Sequence, residues 1–197
     1  MREKEIRLAL KKDLYQSYPN KHGIIIDELA ICEGSARIDI AVIGEHICGY
    51  EIKSEFDSFK RFASQAARYN RCFEYVTLVI SSIHLQEALA KSPDWWSVTE
   101  VINADRQIEF IKRRVGFKNP SIDPNAVVQL LWRDEAAQIL ENVNKKKSVY
   151  KKRRKELWSD MVGHFDSDSL CKIVKNKLLN RVNWRDNLSY IYNLNNY

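Results

Sequence analysis

The sequence contains few cysteines, and their spacing excludes the usual covalent or metal-bound scaffolds. The four cysteines, Cys32, Cys48, Cys72 and Cys171, form no C-x-x-C pair. Neither a structural zinc site nor a disulfide framework is therefore expected, and a reducing cytoplasm is the predicted location. A chain of 197 residues can bury a sufficient core without such links.

Glycine, proline and long apolar runs are also scarce. Six Gly and four Pro are too few for a linker-rich or low-complexity protein. No apolar run approaches the roughly 18 residues that a membrane span needs, and the first twelve residues, MREKEIRLALKK, lack a secretory apolar segment. No phosphate-binding G-x-x-x-x-G-K-[ST] loop is present. We therefore expect neither membrane association nor a nucleotide cofactor.

The positive charge is concentrated towards the C-terminus. The chain carries a formal charge of +6, and eight of the eleven residues in the range 145–155 are Lys or Arg. A clustered cationic segment indicates a polyanionic partner, with nucleic acid favoured over a membrane surface. The alternatives are that this segment is a flexible connector or the solvated surface of a helix, with Leu157 and Trp158 packed on its other side.

Hydrophobic periodicity predicts an α/β fold with a mixed central sheet. Stripes of apolar residues at steps of three and four predict helices, and short Ile- and Val-rich runs predict strands. The predicted helices are 3–17, 57–73 and 83–91, and the predicted strands are 23–31, 36–43, 47–54, 75–81, 97–103 and 108–113. The order begins α-β-β-β-α-β. We assign residues 1–116 to this core.

Residues 117–197 are interpreted as a basic, α-helical C-terminal extension. Two prolines, Pro120 and Pro124, end a connector that starts at Gly116. Helices are predicted over 126–143, 148–163 and 167–181, and no strand is predicted beyond the connector.

Three charged residues stand inside the apolar strands of the predicted meander: Asp39, Glu51 and Lys53. An unpaired charge is costly inside a sheet, so each needs a partner or a function. A three-residue turn at 44–46 would pair Ile43 with Ile47 and so place Asp39 opposite Glu51. Opposed Cβ atoms lie about 5 Å apart, so the two carboxylates repel unless a cation lies between them.

Such a pair of carboxylates is suited to Mg²⁺, with Mn²⁺ as a substitute. Mg²⁺ accepts one or two carboxylates and keeps several waters, and the carbonyl of Ile52 is a further oxygen ligand nearby. Lys53, on the same face as Glu51, could orient a water and offset the charge of a phosphate. The pattern therefore predicts hydrolysis of a phosphodiester.

These residues resemble the PD-(D/E)XK nuclease superfamily. Asp39, followed after a turn by Glu51-Ile52-Lys53, matches its D…ExK motif, although Ile38 stands where the name has Pro. Gln65 and Tyr69 match the Q-x-x-x-Y element of exonuclease-like branches, and Glu28 matches an upstream acidic residue that several branches use as a metal ligand. The segment GYEIKSEFDSFKRFASQAARY is also similar to a small bacterial family of short, largely uncharacterised proteins of this superfamily.

The resemblance implies a restriction-endonuclease-like core and a divalent-metal nuclease, with DNA a more favoured substrate than RNA. The implied catalytic residues are Asp39, Glu51, Lys53, Glu28 and Gln65, and the implied metal ligands are Asp39, Glu51, Ile52 and Glu28. The basic side chains predicted to contact nucleic acid are Arg61, Arg68, Lys151, Lys152, Arg153 and Arg154.

Two other functions stay open. The chain could be a nucleic-acid-binding subunit that keeps the fold but is catalytically silent, or that cleaves only with a partner protein or as a homodimer. It could also be a structural protein whose strand acids are ion-paired, although that reading gives no partner for Asp39. Tyr69 is favoured as a core residue, because it lies on the phenylalanine stripe of its helix.

Overall fold

The computed structural model describes residues 1–17, 23–104, 107–181 and 191–193. The strands are β1 (Ile24–Ile31), β2 (Ala36–Ile43), β3 (Ile47–Lys53), β4 (Tyr75–Ser81), β5 (Ser97–Ala104), β6 (Gln107–Arg114) and β7 (Ile191–Asn193). The α-helices are α1 (Glu3–Ser17), α2 (Phe62–Cys72), α3 (Leu85–Lys91), α4 (Pro124–Val127), α5 (Arg133–Asn144), α6 (Arg154–His164) and α7 (Ser167–Leu179).

The strands form one mixed sheet in the order β6-β5-β4-β3-β2-β1-β7. Strands β1, β2 and β3 are antiparallel neighbours, whereas β3, β4 and β5 run parallel to one another. This arrangement confirms the predicted α/β class, the mixed sheet and the α-β-β-β-α-β order of the first elements. The prediction that no strand follows the connector is wrong, because β7 pairs with β1.

The predicted register of the β2–β3 hairpin is confirmed. Ile43 pairs with Ile47, and the pairing continues to Ile40 and Tyr50. Continuing the same register brings Asp39 to the position opposite Glu51. There the backbone ladder stops, because the Asp39 carboxylate accepts the backbone N–H of Ile52 at 2.7 Å.

Helix α1 covers one face of the sheet. Its buried residues Ile6, Leu10 and Leu14 pack against strand residues that include Ile25 and Val79. Full burial of such a side chain contributes about 1.5–3 kcal/mol. Because this apolar stripe fixes the rotation of α1, it also determines which of its charged side chains point at the sheet.

The other face of the sheet packs against α2 and the C-terminal helices. A single cluster of buried residues joins Phe62 and Tyr69 of α2 to Leu140 of α5, Met161 of α6 and Val174 of α7. The hydrophobic core therefore runs without a break from the sheet into the helices that follow residue 117. Within the described ranges, no helix is long and apolar enough to cross a membrane.

The connector is tied to α2 and β4 by Asn119. Its side-chain amide donates to the carbonyls of Asn70 and Phe73 at 2.7 and 2.8 Å, and its backbone N–H donates to the carbonyl of Glu74. Gly116 is required at the start of this segment, because a Cβ atom there would lie 2.5 Å from the carbonyl oxygen of Trp95.

Three of the predicted helices are interrupted or begin at least five residues later than expected. Helix α2 begins at Phe62 and not at 57, because the Asp57 carboxylate accepts the N–H and the hydroxyl of Ser54 and closes a turn instead. The helix predicted over 126–143 is interrupted before α5, where Leu131 has an extended backbone.

The helix predicted over 148–163 begins only at Arg154, where Glu156 accepts the backbone N–H of Arg153. Most of the basic segment therefore lies before α6, in a 3₁₀ turn over Lys147–Lys151 and the residues around it.

We predict that Asn119→Ala lowers the free energy of unfolding by about 2 kcal/mol, because it leaves two carbonyl groups without their donor in a buried position. Urea denaturation measures this change. Asn176→Ala, on the exposed side of α7, is the matched control and should change stability by less than about 0.5 kcal/mol. Equal stabilities of the two variants would contradict the anchoring role of Asn119.

Candidate active site

Glu51 is the most buried acidic group of the site. It lies on β3 with only 2% of the residue exposed, and its carboxylate is surrounded by donors. Lys53 Nζ and Gln65 Nε2 donate to Oε1 at 2.7 and 3.0 Å, and the Tyr69 hydroxyl lies 2.8 Å from Oε2. A buried carboxylate is tolerated only with such pairing, so these contacts hold Glu51 in one orientation.

The predicted residues Glu51, Lys53 and Gln65 therefore come together. Lys53 is 8% exposed and lies within 3.4 Å of the Gln65 side-chain oxygen as well as next to Glu51. The alternation of a strand places Glu51 and Lys53 on one face, and α2 supplies Gln65 from above that face.

Tyr69 has a second role besides the predicted core position. Its ring is fully buried, as the phenylalanine stripe predicted. Its hydroxyl, however, lies 2.7 Å from the carbonyl of Arg37 and 2.8 Å from Glu51, so its single proton can be donated to either. Burial, followed by the charge of Glu51 and the hydrogen bond to it, raises the pKa of Tyr69 above its usual range.

Asp39 lies next to this group but is held by different partners. One carboxylate oxygen accepts the N–H of Ile52, and the other lies 3.0 Å from the Arg7 guanidinium. Burial, together with the nearby negative charge of Glu51, raises the pKa of Asp39 to about 8. The contribution of Glu51 to this shift is the repulsion that the predicted hairpin register implied.

Arg7 is a residue of the site that the sequence analysis missed. It projects from α1, and its guanidinium contacts the carboxylates of Glu3 at 2.5 Å, Glu28 at 2.6 Å and Asp39 at 3.0 Å. It also donates to the backbone carbonyl of Asp39. Burial alone would lower the pKa of Arg7, but hydrogen bonding to Glu3 and the charges of Asp39 and Glu28 raise it above the ordinary value.

Glu28 reaches the site through an unusual backbone conformation. It has a φ of 56°, in the left-handed region that non-glycine residues seldom adopt, in the middle of β1. The neighbouring residues Asp27 and Leu29 keep their regular pairing with β2. Asp27 binds a different cation of α1, Lys11, at 2.7 Å.

The predicted metal ligands are only partly brought together. Oxygen atoms of Glu3, Glu28 and Asp39 lie within 4.8 Å of one another, close enough to share a cation. Glu51 is not in this group of three, and the Ile52 contact observed here is through its N–H. Glu3 was not predicted. The Arg7 guanidinium contacts all three acids, so an internal cation already compensates part of their charge.

The basic residues predicted to bind nucleic acid are dispersed around the site. Arg61 is exposed just before α2, and Arg68 binds the hydroxyls of Ser64 and Ser35. The remaining four belong to the basic segment: Lys151, Lys152, Arg153 and Arg154.

Two of these four side chains have acidic partners. Lys152 is paired with Asp160 at 2.5 Å, and Arg154 is paired with Glu33 at 3.1 Å. Lys151 and Arg153 are exposed. The basic segment therefore has less uncompensated charge than its composition suggests.

A family comparison covers nearly the whole chain. The family described as bacteriophage P4 protein cII matches residues 1–187. The chain belongs to this cII family. One relative, protein cII of Enterobacteria phage P4, is 30% identical over 110 residues, which are 56% of this chain and 42% of that protein. The match thus spans less than half the length of this relative.

One solved structure shares limited similarity with this cII family member. It is SPO1766, a protein of unknown function from Silicibacter pomeroyi, with a TM-score of 0.40 and 17% sequence identity. The superposition covers 62% of this chain and 80% of that one.

The environment of Asp39 predicts a pH-dependent stability. The unfolded chain releases this proton near pH 3.8, whereas the folded chain keeps it up to about pH 8. Between about pH 4 and pH 8 the folded state therefore binds one more proton than the unfolded state. The free energy of unfolding should fall as the pH rises through this range. Between pH 5 and 8, the free energy of unfolding of Asp39→Asn should fall by at least about 1 kcal/mol less than that of the native protein.

Urea denaturation at a series of pH values, with EDTA present, measures this difference. Asp13→Asn, on the exposed side of α1, is the control and should keep the native pH profile. Parallel profiles for Asp39→Asn and the native protein would contradict the raised pKa.

Proposed function

We propose that this protein is a divalent-metal-dependent phosphodiesterase that cleaves nucleic acid, with DNA favoured over RNA. The observation that carries the proposal is the cluster of Glu51, Lys53 and Gln65, with Asp39 beside it on the neighbouring strand. The order of the first six elements is also that of a restriction-endonuclease-like core, which supports the resemblance to the PD-(D/E)XK superfamily.

Within this proposal, each residue has a distinct role. Lys53 supplies a positive charge that can orient an attacking water and stabilise charge on the phosphate. Gln65 donates to Glu51 and accepts from Lys53, so it fixes both side chains. Tyr69 fixes the second oxygen of Glu51 and so prevents rotation of the carboxylate.

The acidic residues fit a bound Mg²⁺ or Mn²⁺. Burial and the nearby charge of Glu51 raise the pKa of Asp39, a bound cation would offset both effects, and oxygen ligands suit these cations. Asp39, Glu51, Glu28 and the carbonyl of Ile52 would hold the ion, and Glu3 is a further candidate. When bound, the ion would acidify a water and neutralise charge on the phosphate.

A second candidate is a nucleic-acid-binding subunit that is silent or depends on a partner or a second copy. The position of Arg7 favours it, because the guanidinium already neutralises the acids that a metal would use. The two candidates differ in one measurable respect, which is cleavage by the purified protein.

We expect the purified protein to cleave DNA in Mg²⁺ or Mn²⁺, and Lys53→Met to reduce the rate at least about 100-fold, since a group that stabilises transition-state charge typically contributes this much. Closed circular, nicked, linear and single-stranded DNA should be compared, because cleavage of the closed circle would identify an endonuclease. Lys112→Met, an exposed change on β6, is the matched control.

Two outcomes would contradict the nuclease proposal. Absence of cleavage of every substrate would favour the binding subunit. Cleavage that persists unchanged in Lys53→Met would reveal a contaminating nuclease. Circular dichroism of Lys53→Met must show native secondary structure, because removal of Lys53 leaves the buried Glu51 with fewer partners.

We further predict that Mn²⁺ binds through Asp39 and Glu51. Isothermal titration calorimetry should detect binding to the native protein and at least tenfold weaker binding to the Asp39→Asn, Glu51→Gln double variant, equivalent to about 1.4 kcal/mol or more. A double variant of exposed acids, Asp13→Asn and Glu109→Gln, controls for the lost charge. Equal binding of Mn²⁺ by the native protein and by the Asp39→Asn, Glu51→Gln variant would show that the ion binds elsewhere.

A further inference from the structure

A cavity of about 730 Å³ lies between the turn that joins β1 to β2 and the start of the C-terminal helices. Its size suits a small polar ligand of one or two rings and is too small for a duplex. It is lined by Glu28, Leu29, Ala30, Glu33, Gly34 and Arg37 from the sheet side, and by Gln129, Leu130, Leu131, Trp132, Arg133, Arg154 and Arg181 from the helical side.

Arginine dominates the polar lining of this cavity. Four arginines face two glutamates, Glu28 and Glu33. Arg37 is 63% exposed, and Glu28 is 3.7 Å from its guanidinium, beyond hydrogen-bonding distance. Arg154 is 52% exposed and meets Glu33 at 3.1 Å. Arg154 also stacks on the Trp158 ring at 4.7 Å. The two arginines lie on opposite walls of the cavity, and a guanidinium fork matches a phosphate.

Trp132 is the partly exposed aromatic side chain of the helical wall, whereas Leu130 and Leu131 beside it are buried. The Arg181 guanidinium stacks on the Trp132 ring at 4.2 Å. Arg181 is itself fixed by two hydrogen bonds to Glu135, at 2.8 and 2.6 Å. The ring is therefore held rigidly at the cavity wall. Aromatic rings of this kind bind nucleobases by stacking.

The cavity adjoins the candidate active site. Glu28 lines it and also binds Arg7, and Arg37 lines it while its carbonyl lies against the Tyr69 hydroxyl. Arg37 and Asp39 are two residues apart on β2, about 7 Å along the strand. A strand whose phosphodiester lies at Asp39 and Glu51 would thus place a neighbouring nucleotide in the cavity.

We propose that this cavity binds one unpaired nucleotide of the substrate strand, next to the phosphodiester that is cleaved. Arg37 and Arg154 hold its phosphate, and the Trp132 ring holds its base by stacking. The proposal rests on the proposed nuclease function. It implies that the substrate has single-stranded character at the site of cleavage, at an end or at a distorted step of a duplex.

The phosphate contacts are tested by binding of a fluorescent single-stranded 12-mer to the Glu51→Gln protein, followed by anisotropy at a series of salt concentrations. Under the proposed function, Glu51→Gln should not cleave the probe during the measurement. Arg37→Gln with Arg154→Gln should flatten the log–log salt slope by about 1.4, which is about 0.7 for each lost phosphate contact on a single strand. Lys112→Gln with Lys172→Gln, two exposed changes outside the cavity, should leave the slope unchanged.

The base contact is tested separately through Trp132. Trp132→Leu should weaken binding of the 12-mer about fivefold or more without changing the salt slope, because stacking involves no counterion release. Trp132→Phe, which keeps an aromatic ring, should retain most of the affinity. A blunt DNA hairpin of equal length, which offers no unpaired base at its end, should bind with nearly equal affinity to Glu51→Gln and to its Trp132→Leu and Trp132→Phe derivatives.

The results separate this proposal from the nuclease proposal. If the protein cleaves DNA but the two arginine substitutions leave the salt slope unchanged, the proposed nucleotide site is wrong and the nuclease proposal stands. If the strand binds through Arg37 and Arg154 but no DNA is cleaved, the nuclease proposal is wrong and the nucleotide site stands. Competition by a nucleoside monophosphate at concentrations where inorganic phosphate has no effect supports a nucleotide site, whereas equal competition by both would reduce it to a phosphate site.

Discussion

The site depends on the compensation of two carboxylates that the β2–β3 hairpin forces together. The register brings Asp39 to the position opposite Glu51, in a sheet whose neighbouring side chains are isoleucine and valine. Each carboxylate must then find positive charge or hydrogen-bond donors, because unpaired burial is costly. Glu51 accepts hydrogen bonds from Lys53, Gln65 and Tyr69. Asp39 accepts them from Arg7 and from the backbone N–H of Ile52.

This requirement explains the place of α1 and α2 as much as hydrophobic packing does. Helix α1 brings two cations to buried or half-buried acids: Arg7 to Asp39 and Lys11 to Asp27. On the opposite face, α2 brings Gln65 and Tyr69 to Glu51 while its phenylalanine and tyrosine rings join the core. Both helices therefore combine an apolar stripe with a few polar side chains of fixed direction.

Much of this arrangement could be predicted because it is local. The hairpin register follows from the turn length, and the shared face of Glu51 and Lys53 follows from strand alternation. The partners of Asp39 could not be found this way, since Arg7 resembles any surface arginine of an amphipathic helix. The contact of Trp132 with Arg181 in the cavity wall could not be predicted either, because these residues are 49 positions apart and meet only after the C-terminal helices pack. The position of Asp39 in an apolar strand, without a partner nearby in the sequence, was the signal that a distant cation would contact it.

Under the proposed function, Arg7 would distinguish a catalytic from a silent form of this site. A guanidinium stays protonated at any physiological pH, so its charge cannot be removed by titration. A divalent ion at Asp39 must therefore compete with Arg7 for the same oxygens, or bind beside it with Glu51. Glu3 lies one helical turn from Arg7 and already accepts a hydrogen bond from it. Helix α1 thus supplies both the cation that compensates Asp39 and a second partner for that cation.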